Sequence, residues 1–230
     1  MESTLLFLQC GDYEKSIMFN QKGLEISSAI GDRSGIATSN ANLGDAYLGF
    51  REYEEAITYY EKGIEISSAI GDRSEIADSY GHLGDAYLSL REYEKAIVYY
   101  QKGLDISSAI GDPSEIASSN AYFGNFYLSL GEYEKAVMYY QKGLEIYSGI
   151  GDRLGILTIN AKLGNVCLEL GKCQETIAFF KDTLKISVEI GEPSVEVGAL
   201  PLLARYTSWK LRVNLKNVIL LVYVNRLYRI

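Results

Sequence analysis

Eight polar side chains recur with a 40-residue spacing at two fixed positions, and they are the best candidates for binding chemistry in this sequence. The first position holds Asn42, His82, Tyr122 and Lys162, and the second, three residues later, holds Asp45, Asp85, Asn125 and Asn165. Residues three apart share one face of a helix. Such a row can hydrogen-bond the backbone of an extended peptide, and its aspartates favour a polar or basic segment. The alternative is that these positions are merely solvated and drifted after duplication of the unit.

The sequence does not indicate catalysis. It holds no nucleophile–base pair and no glycine loop that could cradle a phosphate, so we expect no enzyme activity. His82 is the only histidine, and no cysteine pair stands at ligand spacing, so we expect neither a metal site nor a cofactor. The carboxylates recur beside lysine in "EYEK" runs, which is typical of solvated helix surfaces.

Charge and cysteine usage restrict the classes of partner that the protein is expected to bind and the cellular compartment in which it is expected. The first 196 residues carry 30 acidic and 16 basic side chains, a net charge of −14, which would repel a nucleic-acid backbone. Cys10, Cys167 and Cys173 form no C-x-x-C pair, and the N-terminus lacks the positive flank and long apolar core of a signal peptide. We therefore expect a cytoplasmic protein that binds no nucleic acid.

The elements that must position the eight polar residues are helical hairpins. "SSAIGD" occurs at 27–32, 67–72 and 107–112, and apolar residues between these copies follow helical periodicity in two runs per unit. Glycines at the end of each unit predict helix stops in the left-handed conformation, as do two glycines in the turn between the runs. Asp112 and Pro113 predict the start of the next helix, with Glu115 closing a capping box. The stop positions are Gly31, Gly71, Gly111, Gly151 and Gly191, and the turn positions are Gly131 and Gly171.

Small residues at fixed positions predict where helices approach closely. The first helix repeats Gly44, Gly84, Gly124 and Gly164, and the second repeats Ala56, Ala96 and Ala136. Paired aromatics in the second helix could suggest a platform for stacked bases, but their repeat phase favours packing. These pairs are Tyr59-Tyr60, Tyr99-Tyr100, Tyr139-Tyr140 and Phe179-Phe180.

These residues together resemble tetratricopeptide repeats (TPRs). One copy reads Leu83-Gly84, Tyr87, Tyr93, Ala96, Tyr100 and Gly103. The 40-residue unit is similar to the arrays of tetratricopeptide repeat protein 28 and of the Pins-type G-protein-signalling modulators. The resemblance implies an all-α, right-handed superhelical solenoid whose first helices line a concave groove. It further implies a non-catalytic scaffold or adaptor that binds a protein or peptide partner there. The clamp by which some relatives hold a C-terminal carboxylate is not expected, because its positions are Ala41, Gly81, Ala121 and Ala161.

The pattern divides the chain into a partial repeat at 1–32, four full repeats, a degenerate helix at 193–209 and a basic apolar tail at 210–230. The full repeats are expected at 33–72, 73–112, 113–152 and 153–192. We expect both ends of the array to be incomplete, so exposed terminal repeats could allow self-association. The apolar stretch of the tail is too short to span a membrane. The tail would either cap the stack, lie on a membrane surface as part of a peripheral adaptor, or be a non-native end.

Overall fold

Helices joined by short turns make up the part of the chain that the structure, a computed structural model, describes. The description covers the backbone of residues 2–191 and the side chains of residues 13–172 and 174–191. Within this range there are nine α-helices and no strand, which confirms the predicted all-α class. The helices are α1 (Glu2–Ile30), α2 (Arg33–Phe50), α3 (Tyr53–Ile70), α4 (Arg73–Ser89), α5 (Tyr93–Ile110), α6 (Pro113–Ser129), α7 (Tyr133–Ile150), α8 (Arg153–Glu169) and α9 (Cys173–Ile190). Residues 193–209 and the tail at 210–230 lie outside the described residues.

The chain divides into two units, residues 1–129 and 130–230. In the first unit each helix from α1 to α6 packs against the next, and α4 also contacts both α2 and α6. In the second unit α7 packs against α8, and α8 packs against α9. Each unit is therefore built from neighbouring helices in chain order, and the first helices of successive repeats touch in the first unit.

The predicted helix stops are confirmed. Gly31, Gly71, Gly111, Gly151 and Gly191 all adopt the left-handed conformation, with φ between 73° and 81°. The aspartate after the first four of these glycines caps the next helix, because its carboxylate accepts hydrogen bonds from backbone N–H groups of the first turn. "SSAIGD" is thus the end of one hairpin, its stop and the cap of the next.

The turns inside the hairpins use the same backbone conformation with different residues. Gly131 and Gly171 have φ of 72° and 70°, as predicted. Arg51 and Arg91 occupy the equivalent positions and hold φ of 67° and 61° without being glycine. A left-handed residue with a side chain costs on the order of 1 kcal/mol, so packing of the flanking helices imposes this conformation.

Two local features differ from the sequence interpretation. Glu115 does not close a capping box, since its Oε1 accepts from Ser74 Oγ of α4 and its Oε2 has no partner among the described residues. The side chain links two repeats instead of capping its own helix. In addition, α1 continues through residue 11, which corresponds to the turn residues Arg51 and Gly131 of later copies.

The recurring glycines of the first helix pack against buried aromatic rings of the second helix. A Cβ on Gly44 would lie 2.5 Å from Tyr60 Cε1, and a Cβ on Gly84 would lie 2.3 Å from Tyr100 Cε1. The same contact recurs in the second unit, where a Cβ on Gly164 would lie 2.9 Å from Phe180. The predicted close approach is confirmed at these positions, and Ala56, Ala96 and Ala136 are fully buried as well.

The paired aromatics are packing residues, as the sequence suggested. The second member of each pair, from Tyr60 to Phe180, is buried. In the first unit the first members stack on tyrosines of the preceding helix. The ring of Tyr59 lies 5.2 Å from that of Tyr47, and the ring of Tyr99 lies 5.2 Å from that of Tyr87.

We predict that Gly84→Ala lowers the free energy of unfolding, by about 1–3 kcal/mol, although alanine is the better helix former. The reason is that the new methyl group would overlap Tyr100, which is buried and cannot move aside. Gly149→Ala is the matched control, because no atom lies within 4 Å of its added Cβ and the same propensity should raise stability by about 1 kcal/mol. Urea unfolding of both variants checks the pair, and equal effects of the two substitutions would contradict the packing argument.

Candidate functional site

The candidate residues of the first unit lie on three successive first helices, and we call these six residues the polar row. Two contacts join the row across repeats. Asp45 Oδ1 lies 3.5 Å from His82 Nδ1, and His82 Nε2 lies 3.3 Å from the hydroxyl oxygen of Tyr122. The row consists of Asn42 and Asp45 on α2, His82 and Asp85 on α4, and Tyr122 and Asn125 on α6.

Aromatic rings hold the middle of the polar row in place. His82 stacks on Tyr60, with ring centroids 5.6 Å apart and planes 12° from parallel. Tyr122 stacks on Tyr100 at 6.0 Å and meets the edge of His82 at 5.7 Å. The side chain of His82 is 32% exposed, so the ring is fixed by its neighbours and still reaches the surface.

The two aspartates of the row are tied to the buried tyrosines of the second helices, which the sequence interpretation missed. The Tyr60 hydroxyl donates to Asp45 Oδ1 at 2.7 Å, and the Tyr100 hydroxyl donates to Asp85 Oδ1 at 2.6 Å. Burial, and next the charge of Asp45, raise the pKa of Tyr60 well above its ordinary value, so it stays a neutral donor. Each aspartate therefore joins the two helices of its own hairpin while its carboxylate remains partly at the surface.

The remaining two candidates lie in the second unit. Lys162 is half-buried and Asn165 is exposed, both on α8. The aromatic residue at the position of Tyr60 is here Phe180, which has no hydroxyl to donate. The sequence shows this correlation only in part, because aspartate is paired with tyrosine in two repeats and asparagine with phenylalanine in one, but Asn125 stands in a repeat with Tyr140.

Further carboxylates on α4 surround the middle of the row. Burial is the main cause of the raised pKa of both Glu75 and Asp78, and the negative charge of Asp45 contributes to both. His82 opposes the shift in each case. These carboxylates of the first unit and His82 therefore interact electrostatically with one another.

A pocket of about 300 Å³ opens at the α2 end of the row. Polar groups line most of it, and two of them, Asn42 and Asp45, belong to the polar row. The lining residues are Tyr13, Ser16, Asn20, Asn42, Asp45 and Ala46. Sequence reasoning did not find the α1 side of this pocket, although Ser16 and Asn20 stand at the repeat positions of Ala56 and Tyr60.

This architecture matches a known repeat family. The tetratricopeptide repeat family matches residues 5–69, 51–109 and 115–187. The chain belongs to the tetratricopeptide repeat family. Comparison with curated proteins found no match.

Solved TPR structures share the fold at low sequence identity. The chain is similar to a Rap protein complexed with competence and sporulation factor, with a TM-score of 0.77, 12% identity and coverage of 95% of this chain and 62% of that one. It is also similar to aspartyl phosphate phosphatase F from Bacillus subtilis, with a TM-score of 0.73, 16% identity and coverage of 97% and 59%. The Rap conjugation gene regulator of plasmid pLS20, in complex with the Phr* peptide, gives a TM-score of 0.62, 20% identity and coverage of 75% and 48%. The chain thus spans less than two thirds of the length of these three proteins.

The described residues contain neither a candidate membrane span nor a candidate metal-ion group. None of their helices is long and apolar enough to cross a membrane. None of their histidine, cysteine and acidic side chains form a group of three or more that could hold a metal ion.

We predict that Tyr60→Phe lowers the free energy of unfolding by about 1 kcal/mol, because it removes a hydrogen bond to a charged but partly exposed carboxylate. A double-mutant cycle with Asp45→Ala, which removes the acceptor, isolates the coupling of the two side chains. Urea unfolding of the four proteins measures it. Additive effects of the two substitutions would contradict a stabilising role for this bond.

We also predict a pH-dependent stabilisation by Glu75→Gln combined with Asp78→Asn. The folded state raises the pKa of both carboxyls, so it binds their protons more tightly than the unfolded state does. These groups therefore lower stability as the pH rises from their ordinary pKa, about 4, through the raised folded values. The double variant should exceed the native chain in stability at pH 7 and match it below about pH 3.

Chemical unfolding of both proteins at a series of pH values checks the difference curve. Glu94→Gln, which removes a carboxylate at an exposed position on α5, is the control variant. A difference that is constant with pH would contradict the assignment.

Proposed function

We propose that this chain is a protein-interaction adaptor that binds an extended peptide along the polar row, without catalysis. The observation that carries the proposal is the continuity of the row, in which Asp45, His82 and Tyr122 from three successive repeats contact one another. An extended peptide presents backbone amides and carbonyls at regular intervals, and the row offers carboxylate, imidazole, hydroxyl and amide groups to meet them. Lys162 and Asn165 of the second unit also remain proposed peptide-binding residues.

The rigidity of the row supports the same proposal. The ring of His82 is stacked on Tyr60, and Asp45 and Asp85 are each held by a tyrosine hydroxyl. Side chains that are already ordered lose little conformational entropy when a ligand binds. The Rap conjugation gene regulator, a structure with a similar fold, is in complex with the Phr* peptide, so a peptide ligand is compatible with this fold.

The partner that fits is a polar or basic protein segment, since the row contains the carboxylates of Asp45 and Asp85 and no lysine or arginine. We propose a cytoplasmic location, no nucleic-acid ligand and no cofactor as parts of the same function. Similarity to the arrays of tetratricopeptide repeat protein 28 and the Pins-type modulators also stays a prediction, as does self-association. The alternative of a membrane-surface adaptor depends on residues 210–230, which lie outside the described residues.

The test removes three polar groups of the row and leaves its shape. The variant carries Asn42→Leu, His82→Phe and Tyr122→Phe, which keep side-chain volume and ring stacking and leave the bonds from Tyr60 and Tyr100 intact. The matched control carries Glu65→Gln and Glu145→Gln, at exposed positions of second helices. The full chain of each is immobilised and offered a pool of random nine-residue peptides, and captured peptides are sequenced.

We expect the native chain and the control to capture the same peptide set, and the row variant to lose at least about nine tenths of it, equivalent to a tenfold loss in affinity. Thermal unfolding must show that the row variant is folded. Equal capture by the folded row variant and the native chain would contradict the proposal.

A further inference from the structure

The pocket at the α2 end of the polar row has a composition suited to a cationic ligand. It lies between α1, which supplies Tyr13, Ser16 and Asn20, and α2, which supplies Asn42, Asp45 and Ala46. A volume of about 300 Å³ is large enough for one long side chain.

The hydrogen bonds within the pocket leave acceptors available to a ligand. Asn20 Nδ2 donates to Ser16 Oγ at 3.3 Å, so the carbonyl oxygen of the same amide is left to accept. Asp45 Oδ1 accepts from Tyr60, whereas Oδ2 has no hydrogen-bond partner among the described side chains. A carboxylate oxygen and an amide oxygen in one small pocket call for a ligand that donates hydrogen bonds.

The charge around Asp45 has no matching cation within the described residues. The only ion-pair partner of Asp45 there is His82, which is charged only when protonated. The side chain of Asp45 is 48% exposed, so its charge is open to solvent. The field of Asp45 also helps to raise the pKa of Glu75 and Asp78 on the neighbouring helix, which shows that several negative groups act on one another here.

We infer that this pocket binds the lysine or arginine side chain of a peptide that lies along the polar row, with Asp45 as the charge partner. The inference rests on the proposed function and adds the specificity of one ligand position. The cationic head would donate to Asp45, Asn20 and the amide of Asn42, while the aliphatic stem would pass along Ala46 and the ring of Tyr13. A divalent cation fits less well, because no group of three potential metal ligands occurs among the described residues.

The chain itself offers a matched pair of variants. Asparagine already stands at the position of Asp45 in two other repeats, as Asn125 and Asn165, so Asp45→Asn preserves the shape and an acceptor for the Tyr60 hydroxyl. Asp105→Asn removes the same charge at an exposed position on α5 and leaves the pocket unchanged, because Asp105 belongs neither to the pocket lining nor to the polar row.

The experiment uses the full chain and four pools of nine-residue peptides. The central residue is lysine, arginine, norleucine or glutamate, and the other positions are random mixtures of uncharged amino acids. Fluorescence polarisation gives the apparent affinity of each pool for the native chain, Asp45→Asn and Asp105→Asn. Melting temperatures confirm that all three are folded.

We expect the native chain and Asp105→Asn to prefer the lysine and arginine pools over norleucine by about tenfold, and Asp45→Asn to reduce this preference to about twofold or less. Equal affinity of all pools for the native chain would overturn the pocket inference and leave peptide binding intact, whereas no binding of any pool would overturn both. Equal loss of preference in both variants would also overturn it, since a diffuse charge effect would then suffice. A fifth probe, 1,5-diaminopentane, distinguishes a peptide side chain from a free amine as the ligand. Binding as tight as that of the lysine pool would show a site for free amines.

Discussion

The packing of one aromatic ring on one glycine is the constraint on which the rest of the first unit depends. Tyr60 is buried against Gly44, and Tyr100 is buried against Gly84, so the two helices of each hairpin meet at a fixed distance and rotation. Because a ring cannot share its volume with a Cβ, no other residue at the glycine position keeps this geometry. This contact also sets the register in which the first helices of successive repeats pack against one another.

The same ring links the core to the surface. Its hydroxyl lies beside the first helix and donates a hydrogen bond to the carboxylate of Asp45 or Asp85. These hydrogen bonds join the polar row to the hydrophobic core. Truncation of these aspartates to alanine would therefore remove a structural bond together with a candidate ligand. A substitution that keeps an acceptor, such as asparagine, separates the two roles, and the repeats with Asn125 and Asn165 show that the fold accommodates it.

The sequence predicts those features that depend on a few neighbouring residues. The glycine stops, the aspartate caps and the amphipathic hairpins follow from local backbone chemistry, and their recurrence every 40 residues makes the pattern unambiguous. Contacts between distant residues could not be predicted in this way. The Tyr60–Asp45 bond joins residues 15 apart, and the Ser74–Glu115 bond joins residues 41 apart. Both depend on how helices pack, and only the joint occurrence of aspartate and tyrosine in two repeats hints at the first.

The turn residues Arg51 and Arg91 make nominally equivalent repeats unequal. They hold the backbone conformation that glycine adopts freely at Gly131 and Gly171. Each of the earlier hairpins therefore contains backbone strain on the order of 1 kcal/mol that the later hairpins lack. In a repeat array, where each unit is stabilised mainly by its neighbours, such a difference lowers the free energy of local opening where it occurs. Amide hydrogens near the arginine turns should consequently exchange with solvent through shallower, more frequent fluctuations than those near the glycine turns.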